Sequence, residues 1–387
     1  MKNNKIENKI YSAIKSVVKQ KKNITLHEPL LGAREKFHIN KCLKINMVSS
    51  IGEYVVKFEK KISNFTKSKY AIAVVNGTSG LHLSLESLNI NHKCEVLVPA
   101  MTFVATANSV KHCGATPHFI DIEKESLGID VNKLRKYLKR ISIQRNKQCI
   151  NLKTKKIIKA IIPVHVFGHP SKMDEIKSLS KEFNLKIIED ATESLGSFYK
   201  KKHTGTFGSF GVLSFNGNKI ITTGGGGVVL TNSKKLAKRA KHLATTAKRP
   251  HKWEYIHDDV GYNYRMPNIN AALGYGQIEN LKNILIKKRN LFKRYKIAFS
   301  KIKNIKIIDE PKNCKSNFWL NTIVLNKKLI SKRNTILKNL NKSGIRARPA
   351  WNLLNTLKPF KNSPRMDLKN AQHISKSLIN IPSSYFL

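Results

Sequence analysis

Apolar residues recur along this chain in two rhythms. Between about residues 50 and 231, short unbroken apolar runs alternate with stretches whose apolar positions fall three or four apart. The runs lie at 70–75, 95–98, 116–120, 157–166, 185–188, 211–215 and 227–230, and read as strands. The stretches between them predict helices, among them one over 52–65 with Val55, Phe58 and Ile62 on one face, and one around 103–111. A turn, Asn76-Gly77-Thr78-Ser79-Gly80, opens another helix after the first run. Strands that are apolar throughout and separated by helices imply an α/β fold with a mainly parallel central sheet covered on both faces.

The pattern then changes. Two helices are predicted over 268–281 and 284–302, followed by runs at 305–308 and 318–325, a helix over 332–342 and a run at 345–348. These read as a smaller C-terminal α+β domain joined through helix rather than flexible linker. Ahead of it all, Ile6, Ile10, Ile14, Val17 and Val18 fall at helical spacing in a basic segment. The expected organisation is therefore an amphipathic helical extension over 1–25, a large domain over 26–265 and a small domain over 266–387. The N-terminal helix is expected to pack on the body or on a second subunit, with membrane-surface docking as the alternative.

Charge complicates this picture. The 387 residues include 72 Lys and Arg against 24 Asp and Glu, a net charge of +48. Such an excess suggests an anionic partner. However, the lysines are spread along the whole chain beside Asn and Ile, all three encoded by AT-rich codons, and the densest runs (19–22, 153–156, 200–202 and 287–289) are short and scattered. A nucleic-acid surface concentrates its charge, so nucleic acid is not expected as a partner. Cys42, Cys94, Cys113, Cys149 and Cys314 share no CxxC spacing, which implies a reduced cytoplasmic protein with neither a disulfide framework nor a metal site. No signal-peptide pattern opens the chain. The longest apolar stretch, 96–107, contains Pro99 and is too short for a membrane span.

Three segments carry candidate chemistry. Val75-Asn76-Gly77-Thr78-Ser79-Gly80 is strand, turn and helix start; Thr78 and Ser79 would present hydroxyls and N–H groups to a phosphate, or simply cap their own helix. In Ile187-Ile188-Glu189-Asp190-Ala191-Thr192-Glu193 a buried strand runs into two acids at its carboxyl end, where open α/β sheets bind ligands. Periodicity does not decide which of Glu189 and Asp190 points inward. In Ser214-Phe215-Asn216-Gly217-Asn218-Lys219, followed by the glycines 224–227, Lys219 is the one lysine between His203 and Lys234. A lysine in such a low-charge setting can serve as an amine nucleophile, forming a Schiff base. The glycine run matches neither dinucleotide nor P-loop spacing. A phosphate cradle, an acid at a strand end and a Schiff-base lysine are together what a pyridoxal phosphate enzyme needs.

The chain resembles the DegT/StrS-type sugar-nucleotide aminotransferases, which are fold-type I pyridoxal phosphate enzymes, from about residue 26 to 384. Eleven segments carry the resemblance in order: LHEP (26–29), MVSSIGEYVVKFE (47–59), VNGTSGLH (75–82), VPAMTFVATANSV (98–110), PVHVFG (163–168), IIEDATESLGS (187–197), SFNGNKIITTGGGG (214–227), HDDVGYNYRMPNINAALG (257–274), FWLN (318–321), RPAW (348–351) and NIPSS (380–384). The first, second, sixth and last look most like the branch that aminates C4 of a 4-keto-6-deoxy-N-acetylhexosamine nucleotide on the way to legionaminic-type sugars.

The resemblance implies that Lys219 holds the cofactor and shuttles the proton and that Asp190 pairs with its pyridine nitrogen. It implies that Thr78, Ser79 and Ser214 bind the phosphate, and that Phe103 stacks on the ring, where the alternative is a core Phe. Asn263 and Arg265 would reach the site from a neighbouring subunit, making the active site a homodimer interface. Much of the family has Gln where this chain has Glu193, so Glu193 is expected in the site with its role open; a carboxylate there repels a phenolate unless protonated or bridged by water. Dehydrating relatives replace the lysine with histidine, so Lys219 marks a transaminase. The expected partners are a sugar-nucleotide and an amino donor, L-glutamate; Arg34, Lys248, Arg346 and Arg348 are candidates for the nucleotide's anionic groups. A perosamine-type or other sugar-nucleotide aminotransferase is the alternative. A nucleic-acid-associated regulator on the same fold is another, against which the presence of both Lys219 and Asp190 speaks.

Overall fold

The computed structural model describes residues 5–18 and 23–387; the basic run at 19–22 lies outside them. The large sheet runs in the order Tyr70–Val74, Gly227–Thr231, Phe210–Ser214, Lys186–Asp190, Ile157–Ile161, Cys94–Pro99, Thr116–Ile120. Gly227–Thr231 is antiparallel to both its neighbours, and the remaining pairings along this path are parallel. All seven strands coincide with the apolar runs of the sequence. Two further strands, Ser142–Arg145 and Gln148–Asn151, form an antiparallel hairpin added beside Ile157–Ile161.

Close packing of helix on sheet depends on one small residue. The helix Gly77–Ser87 lies against the strands Phe210–Ser214 and Gly227–Thr231, and a Cβ at Gly80 would come within 2.8 Å of Val212 and 3.3 Å of Val229. Asn76 caps this helix, its Oδ1 accepting the Ser79 N–H at 2.8 Å. The cap is therefore neither Thr78 nor Ser79.

The smaller sheet is antiparallel, in the order Ile305–Ile307, Asn321–Leu325, Leu378–Ile381, Arg348–Pro349. With the helices Leu281–Ser300 and Arg333–Lys342 it encloses a second apolar cluster. The N-terminal helix Ile6–Val17 joins that cluster, burying Ile10, Ala13, Ile14 and Val17. Its apolar face is thus spent inside the same chain, not on a membrane surface. The helix Asn268–Glu279 packs on Ala33–Lys44 and Glu53–Thr66 and contributes to the larger cluster around the main sheet. Among the described residues no helix is long and apolar enough to cross a membrane.

Candidate active site

A cavity of about 310 Å³ opens beyond the carboxyl ends of the central strands, the usual ligand position in a sheet of this type. Asp190 and Ser214 end two of those strands, while Asn76, Thr102 and Val164 follow three others, and all five line the cavity. Sequence-predicted residues Thr78, Phe103, Asp190, Glu193, Ser214 and Lys219 line it together.

Asp190 is held by neighbours that the sequence did not single out. The Thr106 hydroxyl donates to Oδ2 at 2.7 Å, and Thr192 donates to Oδ1 through its hydroxyl at 2.7 Å and its N–H at 3.2 Å. A carboxylate has about four acceptor positions, so one remains for an N–H donor in the cavity. Glu189, one residue earlier on the strand, serves the scaffold. It is fully buried and accepts the N–H groups of Gly205, Phe207 and Gly208 at 2.6–2.8 Å, with His165 Nε2 at 3.1 Å.

Lys219 reaches the same space from a turn after the strand Phe210–Ser214. Its Nζ lies 3.6 Å from Glu193 Oε1 and 3.9 Å from the centre of the Trp319 ring. The Trp319 indole N–H donates to the Asn218 carbonyl at 2.7 Å, fixing the residue just before the lysine. Burial pushes the Glu193 carboxyl up to about 7, against the charge of Lys219 and the Phe167 N–H that donates to Oε2 at 2.8 Å. The sequence expectation of a repulsive carboxylate is thereby eased, since burial favours the neutral carboxyl.

The cradle at the start of the helix Gly77–Ser87 is narrow. A Cβ at Gly77 would meet Thr192 Cγ2 at 3.1 Å and Ser214 Cβ at 3.2 Å, so glycine leaves the helix N-terminus open beside two hydroxyl-bearing residues. Such an N-terminus carries unsatisfied N–H groups and favours a phosphate. Ser79, expected in the cradle, is buried outside the cavity lining, and its N–H is taken by Asn76. Phe103 is 54% exposed and lines the cavity, so it is not a core residue. Trp351, stacked on Phe167 with centroids 5.0 Å apart, forms another wall.

The other predicted residues lie apart from this cavity within one chain. Asn263 is exposed and bridges to Thr245, while Arg265 bridges to Val74. Arg34, Lys248, Arg346 and Arg348 are exposed and outside the lining; the Lys248 ammonium sits 3.8 Å above the Tyr255 ring. Thr106, which bonds Asp190, and Thr192, Trp319 and Trp351, which line the cavity, are residues that sequence reasoning did not place in the site. All four stand inside quoted segments, and Thr192, two residues from Asp190, was the most accessible of them.

An amine, a buried acid with a free acceptor position and a hydroxyl-lined helix N-terminus suit a phosphorylated pyridine aldehyde. The profile of the DegT/DnrJ/EryC1/StrS aminotransferase family matches residues 29–387. The chain belongs to that family. As a member it is a pyridoxal phosphate-dependent sugar-nucleotide aminotransferase. It is 36% identical over 362 residues to GDP-perosamine synthase of Escherichia coli O157:H7, covering 94% of this chain and 93% of that protein. It is 31% identical over 349 residues to the UDP-4-amino-4,6-dideoxy-N-acetyl-beta-L-altrosamine transaminase of Campylobacter jejuni, covering 89% and 88%. Among solved structures, PseC of Helicobacter pylori, an aminotransferase of pseudoaminic acid biosynthesis, superposes with a TM-score of 0.83 at 26% identity over 93% of this chain and 94% of that one. These likenesses run across both sheets, so this family member shares the fold as a whole and not only the cavity.

Proposed function

We propose that the enzyme transfers the amino group of L-glutamate to C4 of a nucleotide-linked 4-keto-6-deoxy-N-acetylhexosamine, supplying a 4-amino sugar for a surface glycan or a legionaminic-type acid. The observation that carries the reading is the convergence of Lys219 and Asp190 in one cavity, beside the helix start at Gly77. Pyridoxal phosphate supplies an electron sink and a carbon that exchanges amino groups; the protein supplies the rest.

Asp190 accepts the pyridine N–H and, steadied by Thr106 and Thr192, keeps that proton in place. Thr78 and Ser214 would bind the phosphate with the helix N-terminus. Phe103 covers one face of the ring. Lys219 Nζ would take the proton from the donor's α-carbon and return it to the cofactor carbon that carries the amino group. The ring face of Trp319 and the carboxyl of Glu193 hold that nitrogen in reach. Glu193, buried beside Lys219, would lie near the phenolic oxygen, where a neutral carboxyl could donate to it.

The enzyme works as a homodimer in which Asn263 and Arg265 complete the partner's phosphate site. Supporting this, Trp253, Tyr255 and Val260 on the preceding segment are 74–78% exposed, a set of large apolar side chains that a second subunit would cover. Arg34, Lys248, Arg346 and Arg348 are the cations proposed to meet the nucleotide. All five cysteines are free, as in a cytoplasmic protein.

A second reading is favoured by the 36% identity to a GDP-perosamine synthase: the acceptor is then a GDP-linked 4-keto-6-deoxyhexose without the N-acetyl group. Incubation with pyridoxal phosphate, L-glutamate and each 4-keto sugar nucleotide in turn, followed by mass spectrometry, separates the two. The first reading expects the 4-amino product from the UDP-linked N-acetylhexosamine and little from the GDP sugar. The reverse pattern establishes the second, and no amine from either sugar overturns both.

A further inference from the structure

The helix Gly77–Ser87 carries His82 and Glu86 four residues apart, on one face. His82 Nε2 lies 3.6 Å from Glu86 Oε1. Cys113, which ends the helix Ala105–His112, brings its Sγ to the same point, and one donor atom from each of the three side chains lies within 4.8 Å of the other two. His82 and Cys113 are buried, whereas the Glu86 side chain is 28% exposed and gives an entry path. Spacing along the chain does not reveal this cluster, because its cysteine stands alone and far from the histidine.

A second observation points to a ligand. His82 is only 4% exposed, yet among the described residues its Nε2 has no hydrogen-bond partner. Its other nitrogen, Nδ1, is paired with Tyr264 Oη at 3.2 Å. That is the arrangement of a metal-bound imidazole, in which a partner on one nitrogen orients the lone pair of the other.

We propose that His82 Nε2, Glu86 Oε1 and Cys113 Sγ form a binding site for a divalent cation of the zinc type, with water as the fourth ligand. One nitrogen, one oxygen and one sulfur donor suit a borderline-soft ion, whereas magnesium and calcium require mostly oxygen. On binding, a metal–sulfur bond forms and the thiol proton leaves to solvent, with no change of oxidation state. Donor atoms around tetrahedral zinc stand about 3.5 Å apart; His82 Nε2 and Glu86 Oε1 already meet this at 3.6 Å, so the closure that binding requires is at Cys113 Sγ. The bound ion ties the helix Gly77–Ser87 to the helix Ala105–His112 and, through Tyr264, to the segment bearing Asn263 and Arg265.

Titration of the full-length, chelator-treated protein with Co²⁺ and then Zn²⁺ tests this without reference to activity. The expected result is one equivalent of Co²⁺ bound with a near-ultraviolet thiolate-to-cobalt band, which one equivalent of Zn²⁺ abolishes. Cys113→Ser removes the band, and Glu86→Gln weakens binding at least about tenfold. Circular dichroism checks that each variant is folded, and Glu86→Gln sits at the least buried of the three positions. Folded wild type that takes up neither ion stoichiometrically overturns the proposal, as does a cobalt band that survives unchanged in Cys113→Ser.

Discussion

Lys219 Nζ and Glu193 Oε1 face each other across 3.6 Å, and the carboxyl of that pair is held up to about 7 by burial. An acid at this position is thus neither a fixed anion nor a fixed donor near neutral pH. Between about pH 4.5 and about 7 the folded state keeps a proton that the unfolded chain has released. Stability from this group is therefore full below the lower value and lost as pH rises through the upper one.

Glu193→Gln is neutral throughout and removes that dependence. In the cofactor-free protein, the variant is expected to gain on the wild type by about 1–3 kcal/mol between the acid and alkaline sides of this window. Thermal melts of both proteins across the window measure it. A difference that stays constant with pH contradicts the assignment.

Thr106→Val keeps the side chain's shape and removes the hydroxyl that donates to Asp190 and pairs with Thr102. A hydrogen bond to a charged group contributes about 1.5–3 kcal/mol. Cofactor affinity is expected to drop about tenfold or more, measured by fluorescence titration with pyridoxal phosphate. Unchanged affinity means that Thr192 alone is enough to hold the carboxylate.

Trp319→Phe keeps an aromatic face beside Lys219 but loses the N–H that anchors the Asn218 carbonyl. The Trp319 backbone is itself tied down, because the buried Lys288 amino group donates to its carbonyl at 2.8 Å and to that of Ser383. With the backbone fixed and one anchor lost, kcat is expected to fall roughly tenfold with KM for the sugar nearly constant. Steady-state kinetics decide this, and a change confined to KM argues for a substrate contact instead.

Asp190→Ala removes the partner of the pyridine nitrogen. The half-reaction with L-glutamate, followed by stopped-flow absorbance, is expected to slow at least about a hundredfold. A rate within a few-fold of wild type would exclude Asp190 from that role.

The central sheet was legible because its strands are apolar on both faces, and each predicted run corresponds to one strand from Tyr70–Val74 to Gly227–Thr231. The hairpin Ser142–Arg145 with Gln148–Asn151 was not, because it lies at the surface and is built largely from polar residues, with Asn146 and Lys147 at positive φ in its turn. In the site, Lys219 and Asp190 stood out by chemistry and by position after a strand. Thr106 and Trp319 did not, since each acts through a residue 84 or 101 positions away that only the fold brings near. Local pattern likewise did not resolve the choice between Glu189 and Asp190. The distinction depends on the side of the sheet that meets the loop at 205–208, where three N–H groups claim Glu189.

The most direct test is the visible absorption of the purified protein with pyridoxal phosphate, recorded before and after addition of L-glutamate, with Lys219→Ala beside it. The wild type is expected to show the yellow absorbance of lysine-bound cofactor and to bleach with glutamate, while the folded variant lacks that band. A folded wild type that binds no cofactor, or a Lys219→Ala protein that shows the band and bleaches as the wild type does, would contradict the role assigned to Lys219.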